Sequence, residues 1–388
     1  MKIKKLLAIL LTIGMLLTVV ACGEKKEATK SDDKKEDQKT ESKEESDETE
    51  EVVQRSLTVS GISSTSQFLP VYVCREKGWF EEVGLDVEEV MFTGGPVQME
   101  AMASDSWDLG LTGIGGVLAG VIRYDGIVVN TNSTDDGGNY VFTRNDSDIV
   151  SAGKGNNTLD PEIYGTADTW KGKTVLTSTG TVLEYSLVKT LSGFGLSKGD
   201  VNIVAMDGPT IYSSFIAGEG DIAVAGNAAG SFTMLGMKDQ FTPVSSARLA
   251  KTGIITSVIA NPKSYADAEK YEAMKTFTEQ YFRAVKWIQD NTDEAAQMML
   301  DFAEEGGTKT DLETCKTMIT ADDYYSVEEA YKLATEKSED GDMSVLEYQL
   351  TGGLDFFIST GSYAESDKEI FAGCTDNKLI TDVYEKLK

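Results

Sequence analysis

The chain contains no histidine. That removes the commonest general base, the Ser-His-Asp and Cys-His nucleophile arrangements, and the commonest zinc ligand. Cysteine is scarce: four residues, at 22, 74, 315 and 374, none in a CxxC spacing. Neither a metal knuckle nor a disulfide framework is expected, and Cys74, Cys315 and Cys374 read as small buried residues, with a 315–374 disulfide left open. Positive charge is short, at 36 Lys and Arg against 64 Asp and Glu, for a net charge of −28. With no basic stripe to neutralise phosphates, nucleic acid is not expected as a partner. The negative field also disfavours long-range steering of anions. Phosphate loops are missing as well, because Gly113-Ile114-Gly115-Gly116 fits neither GxxxxGK[ST] nor GxGxxG. The pair Asp135-Asp136 matches no calcium-loop spacing and reads as a solvated turn. No cofactor or metal is expected.

What remains is an ordinary globular composition, 388 residues with 40% hydrophobic and 9% aromatic side chains, enough for two domains with real cores. The front end differs from the rest. Lys2, Lys4 and Lys5 precede an apolar run, so residues 1–21 read as a signal peptide, too short for a comfortable membrane span. Val19-Val20-Ala21-Cys22-Gly23 resembles the lipobox of bacterial lipoproteins, which implies lipidation at Cys22 and anchoring on the extracytoplasmic face of the cell membrane. Residues 22–54 are built almost wholly of Lys, Glu, Asp, Ser and Thr. Such a segment cannot bury enough apolar surface to fold and is expected to be a charged, disordered tether.

The folded part carries an internal repeat. Setting Gly95-Pro96 on Gly208-Pro209 also sets Asp108 on Asp221 and Gly113 on Gly226. In each copy an apolar strand ends in small residues, a Gly-Pro opens a helix, and an Asp leads into a second strand that ends in glycine. Short strands alternating with helices of this length argue for βαβ units and a mostly parallel sheet. A duplicated layout of this kind gives an α/β fold with two similar lobes. Beyond Pro262 the pattern turns helical, over 269–290, 292–304, 312–320, 327–337 and 344–360, and this half is expected to pack onto the first lobe.

Four segments then carry a resemblance to a family. LPVYVCREKGWFEEVGLDVEEV (69–90), WKGKTVLTSTGTVLEYSLVKTLSGFGL (170–196), FIAGEGDIAV (215–224), and ITSVIANPKSYAD with AVKWIQDNTDEAAQMM (255–299) resemble the substrate-binding proteins of ABC importers of the nitrate/sulfonate/taurine and thiamine-precursor type. The resemblance implies a two-lobed periplasmic-binding-protein-like clamshell with two crossovers, near Asn139–Arg144 and Ser246–Ile255. Lobe 1 would hold 55–143 and 255–388, and lobe 2 would hold 144–254. It further implies a small-molecule solute, a permease with its ATPase as partner, and no catalysis; the enzymes on this fold depend on histidine. A solute sensor on the same clamp is the rival reading. One departure stands out: relatives often place an aromatic W-x-P where this chain has Gly226-Asn227-Ala228-Ala229.

Ligands of open α/β sheets bind beyond the carboxyl ends of the strands. Here those ends carry Ser64, Thr65, Gln67, Phe68, Thr93, Gly94, Thr112, Gly113, Ile114, Asn139, Tyr140, Ser178, Thr179, Gly180, Thr181, Asp207 and Asn227, which are the candidate ligand-binding residues. Most precede a helix, whose first amides suit a carboxylate, sulfonate or other oxyanion, although Ser and Thr there serve equally as N-caps. Tyr185 and Tyr212 could wall a pocket, Arg144 and Arg248 could meet an anion, and Asp207 and Glu184 could meet an ammonium. With no Lys or Arg in these loops, a zwitterion or a neutral pyrimidine-type ring fits at least as well as a dianion.

Overall fold

A computed structural model describes residues 53–388 except 227 and 340. The signal peptide, Cys22 and nearly all of the tether lie outside the described residues, as does Asn227.

Two five-stranded sheets organise the described chain. The first contains β1 (Arg55–Ile62), β2 (Leu85–Phe92), β3 (Leu109–Thr112), β4 (Ile127–Thr134) and β10 (Ile255–Ala260). Its order is β2-β1-β3-β10-β4. The second contains β5 (Tyr140–Arg144), β6 (Thr174–Thr177), β7 (Asn202–Ala205), β8 (Ile222–Ala225) and β9 (Phe241–Ser246). Its order is β7-β6-β8-β5-β9. The two orders are the same pattern. In each, the first three strands run parallel and the fourth is antiparallel to both its neighbours. That fourth strand, β10 or β5, is the one the chain forms on crossing over from the other lobe.

The repeat survives down to individual hydrogen bonds. Asp108 accepts from the Thr58 amide through Oδ2 at 2.8 Å and donates its own amide to the Thr58 carbonyl at 2.9 Å. Asp221 does the same with Thr174, at 2.8 Å in both directions. Each Asp thereby ties the start of the central sheet strand to the strand beside it. Pro96 and Pro209 both stand in the first turn of their helices, Gly95–Met102 and Gly208–Ile216, where a missing N–H costs nothing.

Each lobe closes over its own core. Leu57, Val59, Leu109, Leu111 and Val258 of the first sheet share a core with Met274, Phe277 and Tyr281 of the long helix Ala268–Asp290, and Ile259 on the opposite face meets Gly120 and Gly126. In the second, Val141, Phe142, Val175, Ile222 and Val224 pack on Leu187, Ile211 and Phe215. The central strands β3, β8 and β10 are buried along their whole length, as strands covered by helices on both faces must be.

Two refinements concern the connections. β5 is a strand of the second sheet, so the first crossover is 135–139 rather than Asn139–Arg144; the second is 247–254. Arg144 consequently sits at the far end of β5, where its guanidinium holds the carbonyls of Phe215, Glu219 and Gly220. The C-terminal helices also reach beyond the first lobe. Leu312–Ile319 packs against Ala229–Gly236 of the second lobe, and the Tyr185 ring lies 3.8 Å from that of Phe356. Cys74, Cys315 and Cys374 are free and buried, so there is no 315–374 disulfide. Burial pushes their thiols up, to about 12 for Cys315 and Cys374.

Candidate functional site

The carboxyl ends of β1, β2, β3, β6 and β8, with the start of the helix after β7, converge on one cavity of about 720 Å³ between the lobes. Of the residues the sequence singled out, Ser64, Thr65, Gln67, Thr93, Gly94, Gly113, Ile114, Asn139, Ser178 and Thr181 line it. Tyr212 lines it too. Its ring also covers Gly230, whose added Cβ would stand 3.1 Å from Tyr212 Cγ. The two glycine-rich ends that match in the repeat, around Gly113–Gly116 and Gly226–Gly230, both reach this cavity.

The other described candidates lie elsewhere. Phe68 is fully buried beneath Gly61 and stacks on Phe302 at 6.0 Å, a core residue of the first lobe. Thr112 is fully buried against Gly116 and Gly95. Tyr140 packs on Phe142 and Phe232. Thr179 is exposed and does not line the cavity, and Gly180 takes a left-handed conformation at φ 70°. Tyr185 and Glu184 are structural as well. Glu184 is buried, accepts the Gly180 amide at 2.7 Å and pairs with Lys198, which fixes the 178–181 loop.

Whether a loop residue caps its helix or is left for a ligand differs from end to end. Thr181 accepts from the Leu183 amide and Asp207 from the Thr210 amide, so both are spent as N-caps. The helices Gly95–Met102, Ile114–Tyr124 and Ala229–Gly236 begin at Gly94, Gly113 and Ala228 with no side-chain cap, and all three starts border the cavity. Their first amides carry partial positive charge and receive no side-chain cap among the described residues.

Charged groups on the wall are few. Among the described residues they are Asp135 and Lys309. Neither was foreseen as a site residue. Lys309 follows Gly306-Gly307-Thr308 in the turn after the helix Thr292–Glu305, and it is exposed with no ion pair among the described residues. Gly306 fits tightly there, since an added Cβ would stand 2.4 Å from Ser64 Oγ. No periodicity announces this turn, and more than two hundred residues separate it from the loop it meets. Asp135 begins the first crossover, a turn that looked solvated in sequence. It is 7% exposed, and its Oδ1 accepts from Asn139 Nδ2 at 3.2 Å. Burial, with the Asp322 carboxylate nearby, holds its carboxyl well above the usual carboxylate range. Asp322 itself is pushed up to about 7 by burial, against the Gly137 amide that donates to it. Arg248 is held by Asp136 at 3.0 Å and by the Ala321 carbonyl, so it bolts the two crossovers together rather than facing the cavity.

The lobes touch at the cavity's edge. A Cβ added to Gly115 would stand 2.1 Å from the Gly180 carbonyl oxygen, so the two segments meet backbone to backbone across the cleft. A second hollow of similar size, about 740 Å³, lies among Val121, Gly126, Glu347, Gly373, Cys374 and Asn377 on the outer side of the first lobe. It involves no carboxyl end of a parallel strand and only one lobe.

Comparison with known proteins bears on the fold. Residues 65–154 match the NMT1/THI5-like family model. A protein of Brachyspira hyodysenteriae named as an ABC transporter periplasmic binding protein is 28% identical over 300 residues, covering 77% of this chain and 82% of its own. Among solved structures, the periplasmic nitrate-binding protein of Synechocystis PCC 6803 superposes with a TM-score of 0.63 at 12% identity, covering 86% of this chain and 89% of that one. The periplasmic aliphatic sulphonate binding protein of Escherichia coli gives 0.60 at 14% identity, covering 81% and 95%. The likeness read from the sequence holds at the level of fold: residues 65–154 match the NMT1/THI5-like model, and the chain has the two-lobed fold seen in the periplasmic binding proteins of ABC-type import systems.

Proposed function

We propose that the protein captures a small organic solute between its lobes and presents it to an ABC permease with its ATPase, while tethered through a lipidated Cys22 on the outer face of the cell membrane. The observation that carries this reading is the cavity of about 720 Å³ walled by strand ends from both lobes. A site shared in this way couples occupancy to lobe closure, because only the closed arrangement lets a solute touch both walls. Among the described residues the polar groups of the wall are backbone amides, hydroxyls, the Gln67 and Asn139 side-chain amides, one acid and one lysine.

The three uncapped helix starts favour a sulfonate, carboxylate or similar oxyanion at one end of the solute. A largely neutral wall with Phe92 and Tyr212 also admits a planar pyrimidine-type ring. The sulphonate- and nitrate-binding structural neighbours support including those classes in a screen.

The test is a thermal-shift screen of the purified protein against sulfonates, nitrate, amino acids and pyrimidines. A true solute at a hundred times its dissociation constant stabilises the folded state by about 2.7 kcal/mol. A broad panel without a single shift removes the solute-capture reading.

A further inference from the structure

We infer that the solute carries a protonated nitrogen that seats against the Asp135 carboxylate, so that the cavity selects an ammonium- or amidinium-bearing molecule rather than a plain anion. This rests on the solute-capture reading and narrows it.

Asp135 is 7% exposed and lines the cavity between the lobes. A buried carboxyl normally has both oxygens engaged, because an unpaired acceptor out of water carries the full cost of its lost hydration. Here Oδ1 accepts from the Asn139 amide, while Oδ2 receives no hydrogen bond from any described residue and stands open to the cavity. No lysine or arginine pairs with the group among the described residues. The nearest charges are acidic, Asp322 and Asp136, and Arg248 is taken up by Asp136. Without a cation the buried acid keeps its proton, and a cationic partner in front of it is what would let it ionise.

The backbone in front of the group is bare. Gly113, at the end of β3, has φ −85°, a conformation open to any residue, so backbone geometry does not demand glycine. Space does: an added Cβ would stand 2.9 Å from Asp135 Oδ2. The glycine therefore keeps a lane open between the acid and the cavity. An ammonium or amidinium entering that lane would complete the carboxylate with a charge-assisted hydrogen bond, the strong kind, in a region shielded from solvent. The uncapped helix starts at Gly94, Gly113 and Ala228 remain available for an acidic or polar opposite end.

The experiment uses matched solutes that differ only in a basic nitrogen: taurine against isethionate, 4-aminobutyrate against 4-hydroxybutyrate, 3-aminopropan-1-ol against propane-1,3-diol. Binding is read by calorimetry on the purified protein, on Asp135→Asn and on Gly113→Ala. The amide oxygen introduced by Asp135→Asn keeps the contact to Asn139, and removing a buried acid should leave the melting temperature of the empty protein unchanged or higher. Binding confined to the nitrogen-bearing members, weakened at least tenfold by Asp135→Asn and also by Gly113→Ala, supports the assignment. Nitrogen-free members that bind as tightly, with Asp135→Asn silent, overturn it and leave solute capture standing. No binding by any member, together with no shift in the wider screen, removes both.

Discussion

At the scale of single residues, the acids decide how this protein responds to pH. Asp322 is buried beside Asp136 and Arg248, and burial lifts its carboxyl to about 7. A carboxyl protonated more readily when folded than when unfolded costs nothing below about pH 4 and destabilises the fold as the pH rises to about 7, where the loss levels off. Asp135, displaced in the same direction, adds to that slope. Acids nearer the surface, such as Asp148 and Asp200, are shifted the other way and act only at lower pH. The urea midpoint of Asp322→Asn should therefore exceed that of the parent at pH 8 and approach it at pH 5; a difference that does not change between the two pH values removes this role for Asp322. The burial of these two acids is invisible in sequence. Asp135 sits in a run of polar residues with no period, and its burial arises because the chain leaves the first sheet there and turns beneath the Gly113 strand end. Asp108 and Asp221 are the opposite case. Their alignment in the repeat is visible from spacing alone, and both do the same job at the same place in their sheets.

At the scale of elements, period and punctuation carry most of the helices and strands. The long helix Ala268–Asp290 and the helix Thr292–Glu305 show a clear apolar stripe and end where the sequence suggests, to within a residue or so. The short elements are harder. Asp148–Ser151 and Ala167–Trp170 span one turn each and are too brief for a 3.6-residue period to register. β5 is legible as a strand but not as a member of the second sheet, since pairing with β8 and β9 depends on residues some eighty to a hundred positions away. Helix starts bring the lobes together most closely. Because Gly115 opens the helix Ile114–Tyr124 and meets the Gly180 carbonyl, Gly115→Ala should hold the lobes apart. The expected result is a solute affinity lowered tenfold or more, with the melting temperature of the empty protein nearly unchanged and a larger radius of gyration in X-ray scattering with solute present. Unaltered affinity and scattering would show that this contact does not govern closure.

At the scale of the whole molecule, two sheets of one order, joined by crossovers at 135–139 and 247–254, make a hinge-like connection at the back of the cleft and leave the strand ends free at the front. The C-terminal helices then make the lobes unequal. They enlarge the first lobe's core, supply Lys309 to the cavity, and reach across to the second lobe through Phe356 and the helix Leu312–Ile319. The net charge of −28 surrounds this cleft with a field that slows a bare anion and favours a cation or zwitterion, in keeping with a buried acid in the wall. Where a solute sits is what everything else depends on. The most direct measurement is a crystal structure grown with whichever solute raises the melting temperature. Density is expected between the Gly113–Gly116 and Thr181–Leu183 ends, touching both lobes. Density instead in the outer hollow beside Glu347 and Cys374, with the interlobe cavity holding only water, would contradict a clamshell that works by closing on its cargo.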